Sequence, residues 1–292
     1  LNVEQVGIRD NFFELGGHSL KATVLVSRIH KEFEVELPLE QVFDNPTIKE
    51  MAQYILKLDQ SSYQAIEKIA EADYYPTSSA QKRMYMLQQL DRESTSYNLP
   101  GVIEIRGGLD LEKMEQILFR LIERHESLRT KFKMKDDRLV QIIEEEIPFR
   151  LEYYQNEEQI DQIISDFIRP FDLENGPLFR AGVVALKDRY LFMLDMHHII
   201  SDGVSVQIFI DEFAKLYDGQ ELEELPIQYK DFSHWQNQIF DSEKFQMEKK
   251  FWLDTFSDGV PILNLPTDYP RGRGTDFSGD TYKFNLSKDI YQ

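Results

Sequence analysis

The chain has 292 residues, a formal net charge of -19, 41% hydrophobic residues and no cysteine. That length and apolar content support a real core and about two domains, and the acidic balance excludes nucleic acid as a main partner, because phosphate binding relies on clustered Lys and Arg. The absence of thiols excludes disulfides and cysteine-based zinc sites, is compatible with a reducing cytosol, and means that any thiol chemistry must be imported.

The opening LNVEQVGIRD lacks the basic, apolar and small-residue order of a signal peptide, and no apolar run approaches the roughly 18 residues of a membrane span. Leu1 in place of Met points to an excised stretch of a longer protein. Leu20, Val24, Ile29 and Phe33 recur at helical spacing and predict a helix over 19–33, with Ser19 as its N-cap. LPLEQVF (37–43) and NPTIKEMAQYIL (45–56) predict two more. The last has Pro46 near its first turn and Ile48, Met51, Ala52 and Ile55 on one face. The charged stretch 57–73 reads as a linker, although AIEKIAEA within it has the composition of a short helix. Beyond Tyr74, strand-like runs at 101–107, 139–146, 179–186 and 189–197 alternate with helical patterns at 109–126, 157–168 and 204–219. That alternation predicts an α/β layer rather than a sandwich, and no internal repeat is present.

Two constellations carry chemistry. A serine before an apolar helix is, by itself, most simply an ordinary N-cap worth about 1 kcal/mol. The whole run DNFFELGGHSL (10–20), however, resembles the carrier-protein signature of nonribosomal peptide synthetases. The resemblance implies that Ser19 receives 4'-phosphopantetheine, with Gly16 and Gly17 keeping the approach clear of side chains. A phosphodiester at a helix N-terminus meets free N–H groups and the positive dipole end, in keeping with that role. Phe12, Phe13 and Leu15 read as core. Carriers of this family are four-helix bundles, and only three helices are legible here, so the resemblance implies a first helix upstream of Leu1.

The second constellation is MHHIISDGVS (196–205), where a strand pattern gives way to a helix. Adjacent histidines on an extended segment point to opposite faces, so one can face the core and the other a cleft. Gly203 permits backbone geometry or an approach that a Cβ would obstruct. Buried structural histidines are the common alternative, and a metal site lacks a third ligand. The pattern HHxxxDG resembles the condensation-domain superfamily, whose two lobes are similar to chloramphenicol acetyltransferase. SSAQKRMYML (78–87), RHESLRTKF (124–132) and YKDFSHW (229–235) resemble further motifs of that family in the right order. The form SSAQKRMY and the ending SDGVS look like domains that join an L-configured donor rather than epimerisation domains, although an epimerisation-type member remains an alternative.

The resemblance implies an organisation of carrier over 1–58, linker over 59–73, and condensation region over 74–292, the last being one lobe and the opening of a second at LPTDYPRGRG (265–274). In fold class this is a small all-α bundle followed by an α/β chloramphenicol-acetyltransferase-like lobe. The implied reaction is amide formation, in which an acceptor α-amine attacks the donor thioester and the pantetheine thiolate leaves. His198 would face the reacting groups, and an imidazole, with a reference pKa of about 6.5, is suited to share a proton near neutrality. His197 would point inward, and Gly203 N–H is an oxyanion-donor candidate. Asp202 would be a structural ion-pair member, with Arg124 or Arg129 as its partner. Implied partners are an upstream adenylation domain, downstream adenylation and acceptor carrier domains, a phosphopantetheinyl transferase, and aminoacyl or peptidyl thioesters, in the cytoplasm. A non-catalytic carrier and docking module, its HH motif on an incomplete scaffold, is the reading of a different class.

Overall fold

The computed structural model describes residues 5–60, 65–155, 159–240, 242–269 and 284–286. The chain divides into two compact units, Leu1–Ile66 and Glu67–Gln292. Of the expected second-lobe opening at 265–274, residues 270–274 lie outside the described residues.

The first unit is all-α: α1 (Ser19–Phe33), α2 (Leu39–Asp44) and α3 (Ile48–Ile55). Its core is Phe12, Ala22, Ile29, Val35, Leu37, Val42 and Met51. The boundaries of α1 match the apolar periodicity, but the buried face does not. Leu20, Val24 and Phe33 are each more than half exposed, while Ala22 and Ile29 are buried and Leu25 and Val26 pack beside them. The reason is phase: 22, 25, 26 and 29 form a tighter stripe at 3.6 residues per turn than 20, 24, 29 and 33. In α3 the cap is Thr47, whose side chain accepts from Glu50 N–H, so Pro46 stands before the helix rather than in its first turn. Ile48 and Ala52 are exposed, and Met51 is the buried residue of that helix. AIEKIAEA is not helical. Residues 65–72 run without regular structure, and Ile69 N–H donates to the Asp231 carboxylate at 2.9 Å.

The second unit contains β1 (Tyr75–Pro76), α4 (Ser79–Leu90), β2 (Asn98–Arg106), α5 (Leu111–Arg124), a 3-10 turn (Glu126–Arg129), β3 (Thr130–Lys135), β4 (Arg138–Ile143), β5 (Glu152–Tyr154), α6 (Ile160–Phe167), β6 (Phe179–Ala185), β7 (Arg189–His197), α7 (Gly203–Tyr217), α8 (Tyr229–Ile239) and α9 (Glu243–Thr255). Two sheets form, with strand orders β1-β4-β3 and β2-β7-β6-β5. In the larger sheet β7 is central, antiparallel to β2 from Asn98↔His197 to Arg106↔Arg189 and antiparallel to β6 from Phe179↔Met196 to Ala185↔Tyr190.

The period-2 alternation of β7 decides which side chains meet which layer. Phe192, Leu194 and Met196 join the main core with Met114, Leu118 and Leu121 of α5 and Phe209 and Leu216 of α7. Met193 packs on the other face with Phe167 and Val184. His197, which follows Met193 and Asp195 on that face, therefore starts from a buried address. Helices α5 and α7 both stack on the first face, so the β7 to α7 turn is clamped at both ends by core.

Candidate functional site

At the start of α1 the N-cap is His18, not Ser19. His18 Nδ1 accepts from Lys21 N–H at 3.4 Å, and its carbonyl accepts from Ala22 N–H at 2.8 Å. Ser19 is the first helical residue and lies exposed. This corrects the expected cap, and it leaves the Ser19 hydroxyl outside the capping geometry. The two glycines also answer local demands of the loop. Gly16 has φ +87°, a left-handed conformation, and a Cβ on Gly17 would lie 2.4 Å from both the ring and the carbonyl oxygen of Phe12. Phe12 is buried and meets Phe13 edge-on at 5.2 Å, while Phe13 stacks on Phe43 at 4.9 Å. The loop is thus wedged against an aromatic cluster, and the serine is held at the head of a 15-residue helix. A phosphodiester fits there: the first turn contains no acidic residue, and its initial N–H groups lack intrahelical acceptors.

In the second unit, β7 delivers MHHIISDGVS to the mouth of α7. His197 is 1% exposed. Its Nδ1 accepts from Ile199 N–H at 3.0 Å, so the ring proton sits on Nε2, which faces Gln88 Oε1 at 3.4 Å. Burial, reinforced by repulsion from His198, pushes its pKa down to about 4. His197 is therefore a neutral pin for the turn. Its carbonyl also accepts from Ile200 N–H at 3.1 Å and from the Ser201 hydroxyl at 3.2 Å.

His198 is half-buried, and the structure holds it at two points. Its N–H donates to Tyr97 O at 2.8 Å, and its Nδ1 lies 2.9 Å from Ser201 O. A carbonyl only accepts, so Nδ1 carries a proton, and in the neutral ring Nε2 keeps a lone pair. The two neighbouring imidazoles are thus in opposite tautomers.

Asp202 is the N-cap of α7, accepting from Ser205 N–H at 2.8 Å and from the Ser205 hydroxyl at 2.7 Å. Burial works against its ionisation, but the two bonds from Ser205, aided by His198, outweigh it and hold the carboxyl below its usual range. The expected ion pair is absent among the described residues. Arg124 instead meets Glu212 through both Nε and Nη2 at 3.2 Å, and Arg129 Nη1 donates to Glu144 O at 2.6 Å. Asp202 stands at an exposed helix start, where a short acceptor for first-turn N–H groups is favoured over a buried charge pair. Gly203 is the first residue of α7. A Cβ there would meet nothing within 4 Å, and its φ is not in the left-handed range, so no neighbour in this chain demands glycine.

The other three motifs bond to one another, and residues of all three line one small cavity with Ile200 of this turn. Ser78 caps α4 in a reciprocal box with Gln81, and its hydroxyl meets Tyr229 Oη at 3.0 Å. Lys230, 4% exposed, donates to Glu126 at 2.7 Å. Glu212 binds both Arg124 and, at 2.6 Å, His125 Nε2. Burial opposes the charge of Glu212, yet the bonds from His125 and Arg124 hold its pKa below the ordinary carboxylate value. Glu212, Gln88 and Ser201 were not singled out from sequence. The available signal was a carboxylate at a helix position facing the core, which calls for a buried cation.

Residues 71–292 match the condensation-domain family, and residues 1–55 match the phosphopantetheine attachment site. The chain is 49% identical over 292 residues to Gramicidin S synthase 2 of Aneurinibacillus migulanus, covering 99% of this chain and 7% of that protein. It is 47% identical over 294 residues to Tyrocidine synthase 3 of Brevibacillus parabrevis, covering 100% of this chain and 4% of that one. The chain thus spans a small fraction of the length of these relatives. The X-domain in complex with OxyB from teicoplanin biosynthesis is similar with a TM-score of 0.65 at 25% identity, over 72% of this chain and 49% of that one. The starter condensation domain of the rhizomide synthetase RzmA shares the fold, with a TM-score of 0.57 at 22% identity, over 64% of this chain and 48% of that one. The expected fold class, an all-α carrier followed by a chloramphenicol-acetyltransferase-like α/β lobe, agrees with these likenesses. The chain belongs to the condensation-domain family of nonribosomal peptide synthetases, preceded by a phosphopantetheine attachment site.

Proposed function

We propose that Ser19 carries an aminoacyl or peptidyl group on a 4'-phosphopantetheine arm, and that His198 serves its condensation with the amine of a downstream acceptor aminoacyl thioester to form a peptide bond. When attached, the arm supplies the thiol that this cysteine-free chain lacks. The observation that carries the reading is the bare Nε2 of His198, fixed by the bond from Nδ1 to Ser201 O. That nitrogen accepts or shares the proton leaving the attacking amine. Gly203 N–H, at the positive end of α7, is the donor suited to negative charge developing on the acyl oxygen, and the open space where its Cβ would stand lets a substrate approach. Asp202 holds the turn by capping, and His197 supports it from the core.

In this reading the carrier occupies 1–58, the linker 59–73 and the condensation region 74–292. The two family matches and the division into units at Ile66 support that organisation. Its partners are the upstream adenylation domain, the downstream adenylation and acceptor carrier domains, and the phosphopantetheinyl transferase that modifies Ser19. A cytoplasmic setting accords with the absence of cysteine and with the absence, among the described residues, of any helix long and apolar enough to cross a membrane.

The test is single-turnover transfer in a synthetase polypeptide that contains this region and an acceptor carrier, followed by mass spectrometry. His198→Ala should slow transfer by about 10² to 10⁴, with loading at Ser19 unchanged. Transfer at the unaltered rate would overturn the assignment.

A further inference from the structure

The position of His198 depends on a residue to which no role has yet been given. Ser201 is 8% exposed, and it contacts both histidines through different atoms. Its hydroxyl donates to the His197 carbonyl at 3.2 Å, and its own carbonyl accepts from His198 Nδ1 at 2.9 Å. The His197 carbonyl is shared with Ile200 N–H, and the His197 ring takes Ile199 N–H, so three consecutive residues after His198 are tied back to His197. Of these three ties, only that from Ser201 is made by a side chain other than an imidazole.

We propose that Ser201 is a positioning residue that sets the tautomer of His198: its hydroxyl closes the turn on His197, and that closure aims the Ser201 carbonyl at His198 Nδ1. Where an imidazole has one nitrogen tied to an acceptor, that bond decides which nitrogen bears the proton. Without the hydroxyl, the 201 carbonyl has no side-chain anchor and the Nδ1–H form loses its preference. The two tautomers differ only in the site of one proton, and the form with the bare Nε2 is the one the proposed transfer uses. The inference rests on that reading for its functional meaning, but not for its structural content.

The 292-residue chain labelled with 15N-histidine tests it directly, through long-range 1H–15N correlations recorded at pH 8, with His198→Gln used to assign the ring. In the unaltered chain His198 should be predominantly Nδ1–H and His197 predominantly Nε2–H. Ser201→Ala should move the His198 tautomer ratio about fivefold toward Nε2–H, the size expected for one hydrogen bond, while His197 keeps its form. Ser201→Thr, which retains the hydroxyl, should restore the original ratio. A His198 ring that is predominantly Nε2–H in the unaltered chain, or one whose ratio is the same in Ser201→Ala, overturns the proposal. If Ser201→Ala fails to fold, Ser201→Cys, close in size with a weaker donor, is read by the same criterion. Turnover plays no part in these spectra. A ratio that behaves as expected, together with condensation unaffected by loss of His198, would refute the proton-transfer role and leave the clamp standing.

Discussion

Asp195 and His197 project from the same face of β7, two residues apart, and burial drives both toward their neutral forms. Asp195 is fully buried, accepts from Asn98 Nδ2 at 2.7 Å and lies 3.3 Å from Arg180 Nη1. Burial nevertheless pushes its carboxyl up to about 6, against the Asn98 bond and the attraction of Arg180, and it pushes Arg180 down to about 10. Arg180 is compensated in other ways, by backbone carbonyls of residues 167, 169 and 170 and by the face of Phe171 at 3.7 Å. The pair is a buried polar hub beside the histidine turn, not a strong ionic clamp.

The first prediction follows from the opposed signs of these two groups. Asp195, raised to about 6 when folded, contributes stability that is complete below its unfolded pKa near 3.9 and is lost as pH rises through 6. His197, lowered to about 4, contributes stability that is present above 6.5 and is lost as pH falls through 4. Each contribution is on the order of 3 kcal/mol, so between pH 4 and 6 they nearly cancel. Urea unfolding across that window should show Asp195→Asn gaining stability with rising pH relative to the unaltered chain, and His197→Gln losing it. Slopes that match the unaltered chain in both variants would refute the opposition.

A second prediction concerns Asp202. A buried ion pair broken at one end costs about 3 to 5 kcal/mol, whereas a lost N-cap costs about 1. Since Asp202 caps α7 through Ser205 and meets neither Arg124 nor Arg129, Asp202→Ala should lower unfolding free energy by about 1 kcal/mol, and Asp202→Asn by less. A loss of 3 kcal/mol or more on chemical denaturation would restore the ion-pair account.

The strong ion pair lies ten residues further on. Arg124 and Glu212 side chains are 19% and 12% exposed, and they join α5 to α7. Glu212→Gln leaves the guanidinium short of its counter-charge and should cost about 3 kcal/mol. In a double-mutant cycle, Arg124→Ala with Glu212→Gln should cost clearly less than the two single losses combined. Strict additivity would show that the contact contributes nothing.

How much of this was legible beforehand depends on the range of the interaction. The long strands at 101–107, 179–186 and 189–197 and the helix at 109–126 were readable because periodicity is local. The two-residue β1 and three-residue β5 are too short to carry a period, and they exist through pairing with distant partners, Tyr75 with Gln141 and Glu152 with Gly182. The His197 and His198 assignment to opposite environments followed from strand alternation. The partner of Arg124 did not, since Arg124 and Glu212 are 88 residues apart in sequence and no local rule couples them. The phase error in α1 arose for a related reason. Apolar Leu20 and Val24 resemble core by composition, but the unit offers its cavity to the small Ala22.

The remaining prediction turns that phase and cap correction into a clean chemical test at Ser19. Were Ser19 the N-cap, Ser19→Ala would weaken α1 by about 1 kcal/mol, and any loss of modification could be blamed on the fold. With His18 as the cap and Ser19 exposed in the first turn, the substitution removes an oxygen that holds nothing in the capping geometry. Its effect on stability should therefore stay within about 0.5 kcal/mol. Incubation with a phosphopantetheinyl transferase and coenzyme A should add one arm to the unaltered chain, by intact mass, and none to Ser19→Ala. Gly17→Ala supplies the opposite case. Its Cβ would fall 2.4 Å from Phe12 O, a backbone atom fixed by its bond from Gly17 N–H at 2.9 Å, so the loop must shift and the helical unit should lose about 1 to 3 kcal/mol while keeping its serine. Loading of Gly17→Ala should fall as its folded fraction falls and recover on cooling toward its stability maximum. A Ser19→Ala chain that still gains the arm would move the attachment to another hydroxyl. A Gly17→Ala chain as stable as the original would show that the Phe12 wedge does not hold the loop.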